Sequence, residues 1–171
     1  PFQVDQVEYV IAKLSAQPFT RQAQMITWMP NLDLTCYDPP CLQSIWYRIL
    51  ADDAGTQWLN VNVRFRSNDA WGANFMNMFG FTMFNRDVIA AGIEKRTGKP
   101  TRLARMNWQA DSFHIYGKDI VQAEQRLFSR INTTSFEDRV YRMDDPTIAE
   151  MYHEEEAAIL AKIAAMASRM D

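Results

Sequence analysis

The chain has 171 residues, 47% of them hydrophobic and 23% charged, which is material for one domain with a sizeable core. A formal net charge of −3 argues against a general nucleic-acid-binding surface but permits one small anion held by a few arginines. No apolar run reaches membrane-spanning length and no signal peptide is visible, so the expected setting is the cytoplasm.

Residues 4–16 read as a helix, with Val4, Val7, Val10, Ile11 and Leu14 at three- and four-residue spacing and Pro18 ending the pattern. Residues 23–29 read as a strand stopped by Pro30, and a polar loop with Asp33 and Asp38 leads to Cys41. Residues 42–50 and 56–66 read as strands joined by Asp52-Asp53-Ala54-Gly55, a hairpin signal. In the second, Leu59, Val61, Val63 and Phe65 alternate with Asn60, Asn62, Arg64 and Arg66, so one face is apolar and the other a ladder of amides and guanidiniums. Ser67-Asn68-Asp69 then reads as the N-cap region of a helix over 70–84. That helix carries Trp71, Phe75, Phe79, Phe81, Met83 and Phe84, and such all-round apolarity predicts burial. A second helix over 86–96 ends at Gly98-Lys99-Pro100, and 101–116 read as extended. Helices are expected over 118–130 and from Pro146 onward. The last has Ile148, Met151, Ile159, Leu160 and Ile163 on one side and a solvated Glu154-Glu155-Glu156 run. With no repeat and no linker, the order points to one α/β or α+β domain over residues 1–171, built on a mixed sheet.

The chemistry concentrates around Cys41. Pro39 and Pro40 have fixed φ and no N–H, so the backbone entering Cys41 is stiff and cannot lie inside a helix. A rigid approach suits a thiol that must be aimed, and a nearby cation such as Arg66 would favour the thiolate. Taken alone, a cysteine after prolines is more often a small buried hydrophobe, and it is the surrounding pattern that reverses this. Cys36 is the other cysteine, and the pair suggests no disulfide framework. Cys36-x4-Cys41 with the scattered His114 and His153 is a poor zinc signature, so no metal is expected. Arg66 and Ser67 are candidates for an anion floor. Asn77, an amide within an apolar helix, must be satisfied by protein or read a ligand, since leaving it bare costs roughly 1–3 kcal/mol.

The ordered set Arg21, Trp28-x-Pro30, Pro39-Pro40-Cys41, Arg66-Ser67-x-Asp69, Asn77 and His114-x-Tyr116 resembles thymidylate synthase, most closely its shorter archaeal-type members. The likeness runs from about Asp5 to about Tyr141, and Asn77 falls eight residues after Asp69, as the family pattern has it. It implies a mixed sheet layered with helices, one sheet face forming a homodimer. It also implies transfer of a one-carbon unit from methylenetetrahydrofolate to carbon 5 of dUMP. Cys41 would add to ring carbon 6, and Arg66 would hold the phosphate and activate the thiol. Ser67 would help bind the phosphate, and Asp69 would support the base network and the folate. Asn77 would read the base edge, where an aspartate would suggest cytosine. His114 and Tyr116 would hold the sugar hydroxyl, and Arg21 would reach the phosphate of the neighbouring subunit.

The chain departs from the pattern at Gln22, where a second phosphate-binding arginine is usual, and at Leu42, where many members have histidine. Forty residues precede Cys41, too few for the family's N-terminal segment with its catalytic glutamate, and Pro1 in place of Met implies processing, trimming or renumbering. The tail Ser168-Arg169-Met170-Asp171 is not the small apolar one that closes over folate. Two further readings therefore stand beside the first: a pyrimidine nucleotide hydroxymethylase on the same scaffold, and a nucleotide-binding relative without catalysis.

Overall fold

The computed structural model describes residues 4–140, 142 and 144–167, with the side chains of 163, 164, 166 and 167 left aside. Tyr141, the Ile163 side chain and the 168–171 tail, all invoked above, lie outside what is described. The contacts divide the chain into two units that meet between Val121 and Gln122.

In the first unit α1 spans Gln6–Ala16, two residues later than its periodicity begins, because Asp5 caps it: the carboxylate accepts the Glu8 N–H at 2.9 Å. Val10, Ile11 and Leu14 are its buried stripe. Four strands follow, β1 (Gln24–Ile26), β2 (Leu42–Ala51), β3 (Gln57–Asp69) and β4 (Thr101–His114), in the spatial order β1-β2-β3-β4. β1 and β3 each run antiparallel to β2, and β4 runs parallel to β3, so the sheet is mixed as expected. The parallel return needs a crossover. It is made by α3 (Asn74–Phe84), a π-helical segment (Asn85–Ala90) and α4 (Ala91–Thr97), which ends at Gly98 with φ 68°.

The alternation read in β3 is borne out. Leu59, Val61, Val63 and Phe65 are buried, with Ile45, Tyr47 and Ile49 of β2, against α1 and the crossover. Each such side chain contributes about 1.5–3 kcal/mol. Phe65, Trp108 and Phe81 form an aromatic junction between β3, β4 and α3, with centroids 4.8 to 6.1 Å apart. Asn62 and Arg64 face outward, the latter paired with Asp111 of β4 at 3.0 Å. Tyr47 is fully buried, burial pushes its phenol pKa upward, and its hydroxyl has no protein partner among the described residues. Tyr47→Phe should therefore leave the melting temperature unchanged or raise it, since an orphaned hydroxyl costs about 1–3 kcal/mol. A clear fall in melting temperature would show that the hydroxyl is satisfied.

Three expectations need correction. The strand over 23–29 shrinks to Gln24–Ile26, because Pro30 opens a short helix, α2 (Pro30–Asp33), rather than only ending a strand. β3 continues through Asp69, so Ser67-Asn68-Asp69 belong to the strand, and α3 starts only at Asn74 with Ala73 as an N-cap that makes no side-chain bond. The predicted burial of the 70–84 helix fails: Phe81 and Phe84 pack on the core, but Phe75 and Met76 are 61% and 65% exposed. One helix side meets the sheet, and apolarity on the other supplies no neighbour to cover it.

The second unit is helical. The helix expected over 118–130 is instead a succession of 3-10, α and π pieces that begins before Gln122, and within the second unit Pro146–Ala167 form a long helix on which Glu154, Glu155 and Glu156 are exposed. Among the described residues no helix is long and apolar enough to cross a membrane.

Candidate functional site

β2 begins where β3 and β4 end, and this end of the sheet collects most of the predicted residues. Cys41 immediately precedes β2, and its carbonyl accepts the Arg66 N–H at 2.8 Å. The thiol belongs to an exposed residue, so the buried-hydrophobe reading is set aside. Cys36 is also free and exposed, so exposure does not tell the two apart. What distinguishes Cys41 is its anchorage. Arg66 Nη2 donates to the Pro39 carbonyl at 2.6 Å and Arg66 Nε to the Pro40 carbonyl at 3.2 Å, while Asp38 lies 3.5 Å from Nη2. The Pro40 carbonyl accepts a second bond, from Gln43 Nε2, at 2.9 Å. Opposite Phe65 and Arg64 the ladder slips between Leu42 and Ser44, a bulge. Thr27 fixes it: its hydroxyl donates to the Leu42 carbonyl and its N–H to that of Gln43. The stiffness foreseen from two prolines is thus reinforced by a guanidinium fork, an amide and the residue that follows β1.

Beyond Arg66, Ser67 pairs with Ser112 and Asp69 with His114 in the parallel register. Asp69 Oδ1 accepts the N–H groups of Trp71 and Gly72, each at 3.0 Å. A Cβ at Gly72 would lie 2.6 Å from Asp69 Oδ2, so any larger residue there would displace the carboxylate from the turn. The Gly72 N–H, helped by the Trp71 N–H and the charges of His114 and Lys118, holds the Asp69 carboxyl below the ordinary carboxylate range against a smaller opposing effect of burial. The His114 ring sits edge-on to Tyr116 at 5.0 Å, with its Nδ1 3.4 Å from Ser112 Oγ. Asn77 is half-buried on α3, and its Nδ2 donates to Asn68 Oδ1 at 3.3 Å.

Cys41, Arg66, Ser67, Asp69, Asn77 and His114 therefore belong to strand ends and a helix start that meet at one end of the sheet. Tyr116 follows β4 and is exposed. Arg21 is not brought to them. It lies before β1, where its carbonyl accepts the Trp46 indole N–H at 3.0 Å, whereas β1 reaches the Cys41 end at Ile26, opposite Ser44. Sequence reasoning missed Gly72, Asn74 and the Asp38 contact, and named Asn68 without a role. The composition of the Asp69–Asn77 turn hinted at the first, but only the folded backbone shows the close approach. Among the described residues no group of three His, Cys, Asp or Glu is placed to hold a metal.

Asp69 also yields a prediction about acid stability. Its folded pKa is lowered, so its contribution is fully present above the ordinary value and is lost as pH falls through the folded one. The wild-type melting temperature should fall more steeply than that of Asp69→Asn between about pH 5 and about pH 2. Parallel curves in thermal scans would show that the carboxylate contributes nothing there.

A family model described as thymidylate synthase matches residues 2–154. A protein of Methanococcoides burtonii, provisionally named a thymidylate synthase, is 35% identical over 116 residues, which are 68% of this chain and 48% of that protein. Its counterpart in Methanosarcina mazei, with the same provisional name, is 34% identical over 117 residues, 68% of this chain and 48% of that one. The chain thus spans about half the length of the curated relatives it matches. The solved structure of thermostable thymidylate synthase A from Bacillus subtilis superposes with a TM-score of 0.54 at 24% identity, over 72% of this chain and 40% of that one, which shows a shared fold.

Proposed function

The chain belongs to the thymidylate synthase family, and on that premise we propose that it transfers a one-carbon unit from methylenetetrahydrofolate to carbon 5 of dUMP, giving dTMP. The observation that carries this reading is the exposed Cys41, held behind two prolines by Arg66, at the sheet end that also carries Ser67, Asp69, Asn77 and His114. Carbon 5 of uracil is a poor nucleophile. Addition of the Cys41 thiolate to carbon 6 makes the ring an enolate, whose carbon 5 attacks the donor's one-carbon unit. Loss of the carbon 5 proton then expels tetrahydrofolate to leave an exocyclic methylene, and hydride from that tetrahydrofolate, which departs as dihydrofolate, makes it a methyl group as the thiolate leaves. Arg66 and Ser67 bind the phosphate in this reading. Two of the guanidinium nitrogens already meet carbonyls, and Nη1 has no protein partner among the described residues. Asn77 meets the base edge and Asp69 supports base and folate. His114 and Tyr116 meet the sugar.

The protein acts as a homodimer in the cytoplasm in this reading. The sheet face that carries Trp46, Asn62 and Arg64 meets its copy, and Arg21 serves the partner's phosphate. The separation of Arg21 from Cys41 along β1 supports this sharing. An apolar groove beside Leu42, lined by Val7, Met25, Ile45, Phe81 and Phe84, offers a ring system a surface to lie on. Incubation with dUMP and methylenetetrahydrofolate, followed by product mass, tests the reaction. A methyl adduct on the base is expected. A hydroxymethyl adduct would make the protein a hydroxymethylase, and no product with intact nucleotide binding would make it a non-catalytic relative.

A further inference from the structure

We propose that Asn68 sets the choice of base by holding the Asn77 side-chain amide in one of its two orientations. The inference rests on the reading of Asn77 as the group that meets the base edge. A primary amide has a donor end and an acceptor end of nearly equal shape, and a half-turn exchanges them. Uracil presents an N–H beside a carbonyl, whereas cytosine presents a bare ring nitrogen beside an amino group. An amide free to turn can serve either base. An amide held in one orientation can serve only one of them.

The orientation is set by a directed chain of contacts. Met78 Sδ can only accept, and Asn74 Nδ2 lies 3.5 Å from it. That leaves Asn74 Oδ1 to accept from Asn68 Nδ2, at 2.8 Å. Asn68 Oδ1 is then left to accept from Asn77 Nδ2, at 3.3 Å. Reversing any one amide would set donor against donor or acceptor against acceptor. Asn68 cannot evade the constraint by moving, because it is only 3% exposed and its backbone is paired with Phe113 in the sheet. Asn77 is left with Oδ1, which has no protein partner among the described residues, and with the N–H that lies beside it. That pair is what a base edge meets. Asn68 is thus a positioning residue, acting through Asn77.

The test is the ratio of dissociation constants for dUMP and dCMP in the full chain, with melting temperatures alongside. The wild type is expected to prefer dUMP. Asn68→Ala removes the acceptor and should narrow the preference by about tenfold or more, with dUMP weakening and dCMP gaining. Asn68→Asp keeps an oxygen facing Asn77 whichever way its carboxyl group turns, so the preference should stay within about twofold of wild type. Asn74→Ala, at a half-buried position, removes what orients Asn68 and should also narrow the ratio; it decides the matter if Asn68→Ala does not fold. An unchanged ratio in folded Asn68→Ala or Asn74→Ala overturns the inference, as does equal weakening of both nucleotides, the mark of a merely structural role. A wild type that binds neither nucleotide overturns the reading of Asn77 and this inference together. A wild type that prefers dUMP beside unchanged variants overturns only the role of Asn68.

Discussion

Cys41→Ala is expected to abolish turnover while leaving the fold and nucleotide binding intact. In the proposed reaction the thiolate forms and later breaks the only covalent bond between protein and substrate, so no other side chain can replace it. Loss of a covalent nucleophile lowers turnover by roughly four orders of magnitude or more. The residue is exposed and its anchorage uses backbone atoms, the Cys41 carbonyl and those of Pro39 and Pro40, which the substitution retains. Stability should therefore change by no more than about 0.5 kcal/mol. Cys36→Ala is the control and should keep full turnover. The same contrast should appear in alkylation: dUMP protects Cys41 and leaves Cys36 reactive. Product formation by Cys41→Ala, or equal alkylation of both cysteines whatever the nucleotide, would remove Cys41 from the mechanism.

Arg66→Ala has the second-largest expected effect, because one guanidinium has two tasks. It donates to the carbonyls of Pro39 and Pro40, so its loss frees the segment that aims Cys41. In the proposed site it also holds the phosphate, and a charge-assisted bond of that kind is worth roughly 1.5–3 kcal/mol. Affinity for dUMP should fall by about tenfold to about a hundredfold, while deoxyuridine, lacking the phosphate, changes little. Turnover should fall further than affinity, because the thiol is no longer held in position. Lysine should not restore either quantity, since a point ammonium cannot span both carbonyls and the phosphate as a planar fork does. Isothermal titration with nucleotide and nucleoside separates the tasks. Equal loss for both ligands would assign Arg66 to the loop alone.

Some of this was legible in the residues themselves. The two-residue alternation of Leu59 to Phe65 located β3 and its buried face, because a strand's pleat alone dictates which side chains share a side. The stripe of Val10, Ile11 and Leu14 located α1 for the same kind of reason, and Pro39-Pro40 announced a stiff approach to Cys41 through covalent geometry alone. The kinship that unites Cys41, Arg66, Asp69 and Asn77 was also legible, as order and spacing.

Tertiary structure decided what spacing cannot express. Strict alternation puts Asn68 on the side of Asn62 and Arg64, which are exposed, yet Asn68 is buried because α3 returns over the strand end and engages it through Asn74 and Asn77. The apolar 70–84 stretch forecast burial, but apolarity states a preference and not a neighbour, and Phe75 and Met76 are open. Arg66 was expected beside Cys41, but only the fold shows its fork on the carbonyls of Pro39 and Pro40, atoms that carry no residue identity. Gly72 likewise acquires its meaning only when the turn brings it against Asp69. Local periodicity follows from each residue's own backbone and is written along the chain. The contacts that orient Asn77, Asp69 and Cys41 join segments that only packing brings together, so their partners are set by the fold.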